Sequence, residues 1–207
     1  MTVLLAGLGV VLAGGVLAWV LRRHLRLAAT TGAVTAIAGS VAALSSSAGV
    51  LISGVPLKLA AEWRIPMASF AMEVDALSAF FLCIIFGLSI LAALYGWEYL
   101  RASDSEDSHG KCSWLWFNIL IVSMALVIMA RNAIFFIVAW EIMSMSSFLL
   151  VAFESNKEQV RHAAWTYLVA THLGTALLLV MFVLIGTHVG SFDFAAWSTL
   201  SGASHVF

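Results

Sequence analysis

Apolar and polar positions along the chain sort into six long hydrophobic runs separated by short polar seams. The runs fall at about 3–21, 29–53, 76–99, 114–130, 133–152 and 163–187. A helix needs about 20 residues to cross a hydrocarbon layer about 30 Å thick, and all the runs but the short fourth reach or approach that length. They are continuous rather than alternating. In lipid that pattern reads as helices, which satisfy their own backbone groups, and not as the strands of a barrel. The expected fold is all-α, a polytopic membrane helix bundle of about six transmembrane helices.

The seams add detail. The fourth and fifth runs are joined by Arg131 and Asn132 alone, which predicts a tight helical hairpin with those two residues anchoring its tip. The seam "GVPLKLAAEWRIPMASFAMEVDA" alternates in places and carries both prolines, Pro56 and Pro66. It is expected to form a short hairpin lying on the bundle. The second run, "TTGAVTAIAGSVAALSSSAG", is rich in small residues that let helix backbones approach closely. The chain divides into residues 1–70 (two helices and a loop), 71–190 (four helices) and a tail, 191–207.

Composition agrees with a membrane protein: 62% of residues are hydrophobic and only 10% charged, with a mean hydropathy of +1.03. The net charge of −1 and the lack of a basic run give no support for a nucleic-acid partner. The first run has its positive charges after the apolar core, not before it, and reads as a retained first membrane helix rather than a signal peptide. If the N-terminus is exterior, the cytoplasmic seams hold Arg22, Arg23, Arg26, Arg101, Lys111, Lys157 and Arg161, seven basic residues against three (Lys58, Arg64, Arg131) on the other side. That imbalance favours an exterior N-terminus. Cys83 and Cys112 follow no metal or redox spacing. Cys83 reads as a buried small apolar residue and Cys112 as a loop thiol. No redox-cofactor or metal motif is present, so no cofactor is expected.

The chemistry concentrates in the fifth and sixth runs. Glu141, in "IVAWEIMSMSSFLLV", lies about 12 Å from one end of its helix and about 16 Å from the other, at 1.5 Å per residue. A charged residue near the bilayer centre costs about 2.5–3.5 kcal/mol on insertion scales and is a functional candidate by default. Ser144, at i+3, can share its face, and Ser147 continues the polar stripe. The plainer alternative is a glutamate hydrogen-bonded to the sixth helix as packing glue. Ser or Thr would serve that purpose at lower insertion cost.

His172 in the sixth run is at a similar depth, with Thr171 and Thr175 near it and Tyr167 about a turn away. Histidine titrates near neutrality and can pass protons. A neutral core histidine bonded to a carbonyl or a threonine is the competing reading. At the cytoplasmic mouth stand Glu154, Lys157, Glu158, Arg161 and His162, which read mostly as a solvated loop. Asp75, ahead of "ALSAFF", reads as a helix cap, and Glu98 as an acid within an interfacial aromatic belt.

As a set these residues resemble a known family. "MEVDALSAFFLCIIFGLSILAALYGWEYL" is similar to the third-helix region of the antiporter-like membrane subunits of respiratory complex I. "ARNAIFFIVAWEIMSMSSFLLVAFE" is similar to their glutamate-bearing fifth helix. With "VRHAAWTYLVATHLGTALLL" following, the form resembled most is the antiporter-like membrane subunit of hydrogenase-4, formate hydrogenlyase and related hydrogenases. The resemblance covers about residues 70–195.

The resemblance implies a multi-pass subunit of the plasma membrane that moves protons or sodium ions, coupled to redox chemistry elsewhere. Its implied partners are other antiporter-like membrane subunits, a hydrophilic hydrogenase or quinone-reducing module, and the lipid bilayer. In the family the glutamate matching Glu141 works with a lysine on a broken seventh helix, within two inverted repeats. Here no lysine lies within any of the six runs and the chain ends at Phe207. It is therefore expected to be a truncated or split frame, or a short relative completed by a partner chain. Glu141, Ser144, Tyr167, Thr171, His172 and Thr175 are the expected ion-translocation residues, with Glu154, Lys157, Arg161 and His162 at the mouth. The rival readings are a scaffold or remnant with no transport of its own, and an independent secondary transporter.

Overall fold

The computed structural model describes residues 1–61, 70–102, 112–154 and 156–197. Six helices follow the six apolar runs: α1 Thr2–Val20, α2 Leu25–Ser53, α3 Ala76–Ala102, α4 Ser113–Met129, α5 Ala133–Val151 and α6 Glu158–Val189. All but α4 are long and apolar enough to cross a membrane, and α4 is a shorter apolar helix of 17 residues. A short helix, α7 (Phe194–Trp197), follows. The chain is thus a multi-pass membrane helix bundle.

The core lies between α1, α2, α3 and α4. Leu4, Val11, Ala36, Ala43, Leu82, Phe86 and Ile121 are all fully buried there. The small residues of α2 make this contact possible. A Cβ on Gly7 would fall 2.7 Å from the carbonyl oxygen of Gly39, so these two backbones touch with no room for a side chain. Asn118 of α4 ties the group together, its Nδ2 donating to the Val11 carbonyl at 3.1 Å and the Gly32 carbonyl at 3.4 Å.

Between α2 and α3 the alternating seam forms an antiparallel hairpin of β1 (Leu57–Ala61) and β2 (Phe70–Val74), paired from Leu57 with Val74 to Ala61 with Phe70. Its turn, with Arg64 and Pro66, lies outside the described residues. Met72 and Val74 are buried, while Glu73 between them faces its cross-strand partner Lys58 at 3.0 Å. This is the period-two pattern of a strand with one face on a core. Met72 bridges to Ala130, and the Arg131 amide donates to the Ala71 carbonyl at 3.0 Å, which seats the hairpin on the α4–α5 tip.

Three sequence expectations change. First, α6 begins at Glu158, so Glu158, Arg161 and His162 sit on its opening turns rather than in a solvated loop. An acid in a first turn is favoured by the helix dipole, and 32 residues reach about 48 Å, enough to carry the helix out of the hydrocarbon. Second, α3 continues to Ala102, past the expected end of the third run at 99. Third, Cys83 is half-buried, not buried, and Cys112 takes the N-cap position of α4.

Candidate functional site

Two polar constellations stand out, one at a helix-tip layer and one inside the α5–α6 contact. The first is built on the seams that follow α2, α4 and α6. Asp75 caps α3: its Oδ1 accepts from the Ser78 amide at 2.7 Å. Its Oδ2 accepts from Arg131 Nη2 at 2.7 Å. The Ser78 amide and then the Arg131 guanidinium hold the Asp75 carboxyl below its ordinary range, against the opposing effect of burial. Arg131 Nε also lies 3.4 Å from Glu73 Oε2, without hydrogen-bond alignment.

Asn132 next door is fully buried and serves two neighbours. Its Oδ1 accepts from the amides of Ile134 (3.0 Å) and Phe135 (3.4 Å), capping α5, and its Nδ2 donates to Asp193 Oδ1 at 2.8 Å. Beneath it Phe136, Phe182, Phe194 and Trp197 pack ring against ring, with centroids 5.0–6.2 Å apart. The tip residues are thus an anchor, joining hairpin, α4–α5 turn and the segment after α6.

The second constellation contains Glu141. Its Oε2 lies 3.8 Å from Nε2 of His172, so α5 and α6 bring these two residues face to face. Both are partly open, the glutamate side chain at 33% and the histidine at 44%, because α6 packs on little besides α5. The other carboxylate oxygen, Oε1, is buried and has no hydrogen-bond partner. His172 Nδ1 lies 3.0 Å from the Leu168 carbonyl. A carbonyl only accepts, so Nδ1 carries the proton in that contact and a neutral ring presents the bare lone pair of Nε2 to Glu141. Carboxylate and lone pair repel. The pair becomes attractive only with one more proton, on either the glutamate or the imidazole.

The flanking hydroxyls behave differently from their spacing. Ser144 is buried and donates to the Glu141 backbone carbonyl at 3.1 Å, not to the carboxylate. Thr171 donates to the Leu168 carbonyl at 3.0 Å and Thr175 to the Thr171 carbonyl at 3.1 Å. In an apolar medium the nearest acceptor is the preceding helical turn. Tyr167 does cross the helix pair, donating to Ser147 Oγ at 2.9 Å on the mouth side of Glu141. Of the mouth residues, Lys157, Arg161 and His162 are exposed at the start of α6, and the Glu154 side chain lies outside the described residues. So do the Arg101 side chain and the whole of Lys111. The Asn132–Asp193 and Arg131–Asp75 pairs were not anticipated. Their partners are 61 and 56 residues apart, and nothing local marks them.

Two stretches match described families: residues 130–206 match "NADH:quinone oxidoreductase/Mrp antiporter, TM", and residues 66–108 match "NADH-Ubiquinone oxidoreductase (complex I), chain 5 N-terminus". The chain belongs to the complex I antiporter-like family of membrane proteins. Among its relatives is hydrogenase-4 component B of Escherichia coli K12, 33% identical over 176 residues, covering 85% of this chain and 26% of the relative. NADH-quinone oxidoreductase subunit L of Buchnera aphidicola (subsp. Schizaphis graminum) is 28% identical over 66% of this chain and 22% of its own length. The chain therefore spans about a quarter of these relatives. A chain in the structure of the membrane-bound sulfane sulfur reductase, an archaeal respiratory membrane complex, shares the fold. Its TM-score is 0.72 at 24% identity, over 91% of this chain and 28% of that one.

Proposed function

We propose that this chain is part of an ion-translocating membrane subunit in a redox-driven complex of hydrogenase-4 or complex I type, embedded in the plasma membrane with its N-terminus exterior. The observation that carries the reading is Glu141 facing His172 at 3.8 Å within the span. An acid there is costly and is a functional candidate by default, and the 3.8 Å approach of the two side chains supports reading the pair as a single-proton store. His172 receives a proton from the cytoplasmic side, Glu141 holds it, and the histidine's Nδ1 contact with Leu168 keeps Nε2 aimed at the carboxylate. Tyr167 and Ser147 are the hydroxyl step toward the mouth. Glu154, Lys157, Arg161 and His162 collect ions there. Thr171, Thr175 and Ser144 keep the helical walls polar without touching the carboxylate.

Driving the store requires a second charge. The buried, unpartnered Oε1 of Glu141 fits a cation brought by a neighbouring helix. No lysine lies in any described helix of this chain, so that helix comes from elsewhere in the subunit or complex. Redox energy from a hydrogenase or quinone-reducing module would move the cation and release the proton. The transported ion is H⁺ or Na⁺. The test is Glu141→Gln in the assembled complex: ion translocation should stop while assembly and electron transfer persist. Translocation at the normal rate would refute the role.

A scaffold without transport of its own is the second reading. It draws on the self-satisfied hydroxyls of Ser144, Thr171 and Thr175, which form no continuous chain to Glu141. It predicts that Glu141→Gln and Glu141→Ala are both silent.

A further inference from the structure

At the opposite end of the bundle from the hairpin, α1 and α2 are joined by a short turn, residues 21–24. Both helices are long and apolar enough to cross a membrane. Their join therefore lies where the chain leaves the hydrocarbon, because the backbone groups of the turn need water or a polar headgroup. Three arginines cluster there: Arg22, Arg23 and Arg26, all exposed. None of them pairs with an acid among the described residues. α2 also opens with no acid in its first turn. The turn is thus a concentrated positive field with no counter-charge from the described residues.

Apolar side chains stand among these charges. Trp19, in the last turn of α1, is 40% exposed, and the Arg22 guanidinium carbon lies 4.9 Å from its ring centroid. A cation over an indole is attracted to the ring face. Arg22 is therefore laid along the outward face of α1, beside the acyl chains, with its charge at headgroup level. Leu25 and Leu27 next to it are also exposed. An indole with one polar edge belongs at the boundary between hydrocarbon and water, and leucines gain by entering the hydrocarbon beneath. A phospholipid presents both surfaces together, a charged phosphate directly above its apolar chains. An acidic polypeptide would answer the charges but not the apolar side chains among them.

We propose that the α1–α2 turn is a docking surface for anionic phospholipid, with Arg22, Arg23 and Arg26 taking the negatively charged headgroup and Trp19, Leu25 and Leu27 resting on the acyl chains below it. The planar guanidinium forks suit phosphate oxygens, which accept two N–H bonds side by side. A zwitterionic lipid offers the same phosphate but carries its own ammonium, so the turn discriminates by net charge.

The test places the protein in nanodiscs of phosphatidylglycerol and phosphatidylcholine in equal amounts, one or the other carrying a photoreactive group near the ester end of an acyl chain. Labelled residues are mapped by mass spectrometry. Phosphatidylglycerol should label residues 19–27 in excess over phosphatidylcholine. The excess should shrink in about 1 M salt, where the screening length is about 3 Å. Arg22→Gln should lower the excess about fivefold, the value of one arginine at an anionic surface, and leave labelling by phosphatidylcholine unchanged. Replacing Arg22, Arg23 and Arg26 together by glutamine should make the two lipids equal. If that triple variant fails to insert, Arg22→Gln decides alone, since Arg23 and Arg26 remain. Equal labelling by the two lipids in the wild type, the outcome if an acidic protein segment covers the turn, overturns the proposal. So does an excess indifferent to Arg22→Gln, or one abolished by soluble glycerophosphate at constant ionic strength, which would make the turn a site for free phosphate.

Discussion

Replacing Asp75 by alanine removes two contacts at once: the cap on the Ser78 amide and the pair with Arg131, both at 2.7 Å. An N-cap is worth about 1 kcal/mol. The ion pair is worth less, because the Asp75 and Arg131 side chains are 43% and 31% exposed, and such pairs contribute about 0.5 kcal/mol. The sum, about 1.5 kcal/mol, raises the opening equilibrium of the hairpin and the start of α3 roughly tenfold. Asparagine still caps, so Asp75→Asn should lose only the pair, about twofold. The assay is amide hydrogen exchange in lipid nanodiscs, reading Ser78 and the strands Leu57–Ala61 and Phe70–Val74.

The pH dependence follows with a fixed sign. The folded-state carboxyl of Asp75 titrates below its ordinary value, so its contribution is complete above about pH 4 and disappears as pH falls through the folded-state value. Wild-type protection at Ser78 should then fall toward that of Asp75→Ala in acid. Equal protection at Ser78 in wild type and Asp75→Ala at neutral pH would mean that Asp75 does not stabilise the start of α3.

Other substitutions probe the packing. Gly39→Leu places a side chain onto Val11 and the Gly7 backbone and should cost about 1–3 kcal/mol in a reversible unfolding assay. Gly49→Leu, which enters open space, should stay within about 0.5 kcal/mol of wild type. Asn132→Ala removes the α5 cap and the Asp193 bond and should speed exchange at Ile134 and Phe135 by about fivefold, for a cap of about 1 kcal/mol. Tyr167→Phe deletes the hydrogen bond to Ser147 and should weaken the α5–α6 contact by about 0.6 kcal/mol, read from the thermal midpoint.

The fold was legible wherever one physical rule acted over a long window. Apolar run length defines the six helices, because lipid imposes both their length and their internal hydrogen bonding. The hairpin was visible in the alternation of Leu57–Ala61 and Phe70–Val74, and the Asp75 cap in its place ahead of an apolar run. The depth match of Glu141 and His172 followed from counting residues along two helices. What could not be read was the direction of short side chains. Spacing put Ser144 on the Glu141 face, but its hydroxyl turned to a backbone carbonyl one turn back. Nor could the meeting of Arg131 with Asp75, or Asn132 with Asp193, be read, since both depend on three separate seams arriving at one layer.

In the proposed function Glu141 and His172 share one mobile proton. That sharing is tested most directly by infrared difference spectroscopy of the working complex, following the carbonyl stretch of a protonated carboxylic acid during turnover, with glutamate isotopically labelled. A shared proton gives a band that shifts with the label, vanishes in Glu141→Gln and moves in His172→Phe. A turnover spectrum unchanged by Glu141→Gln would contradict it.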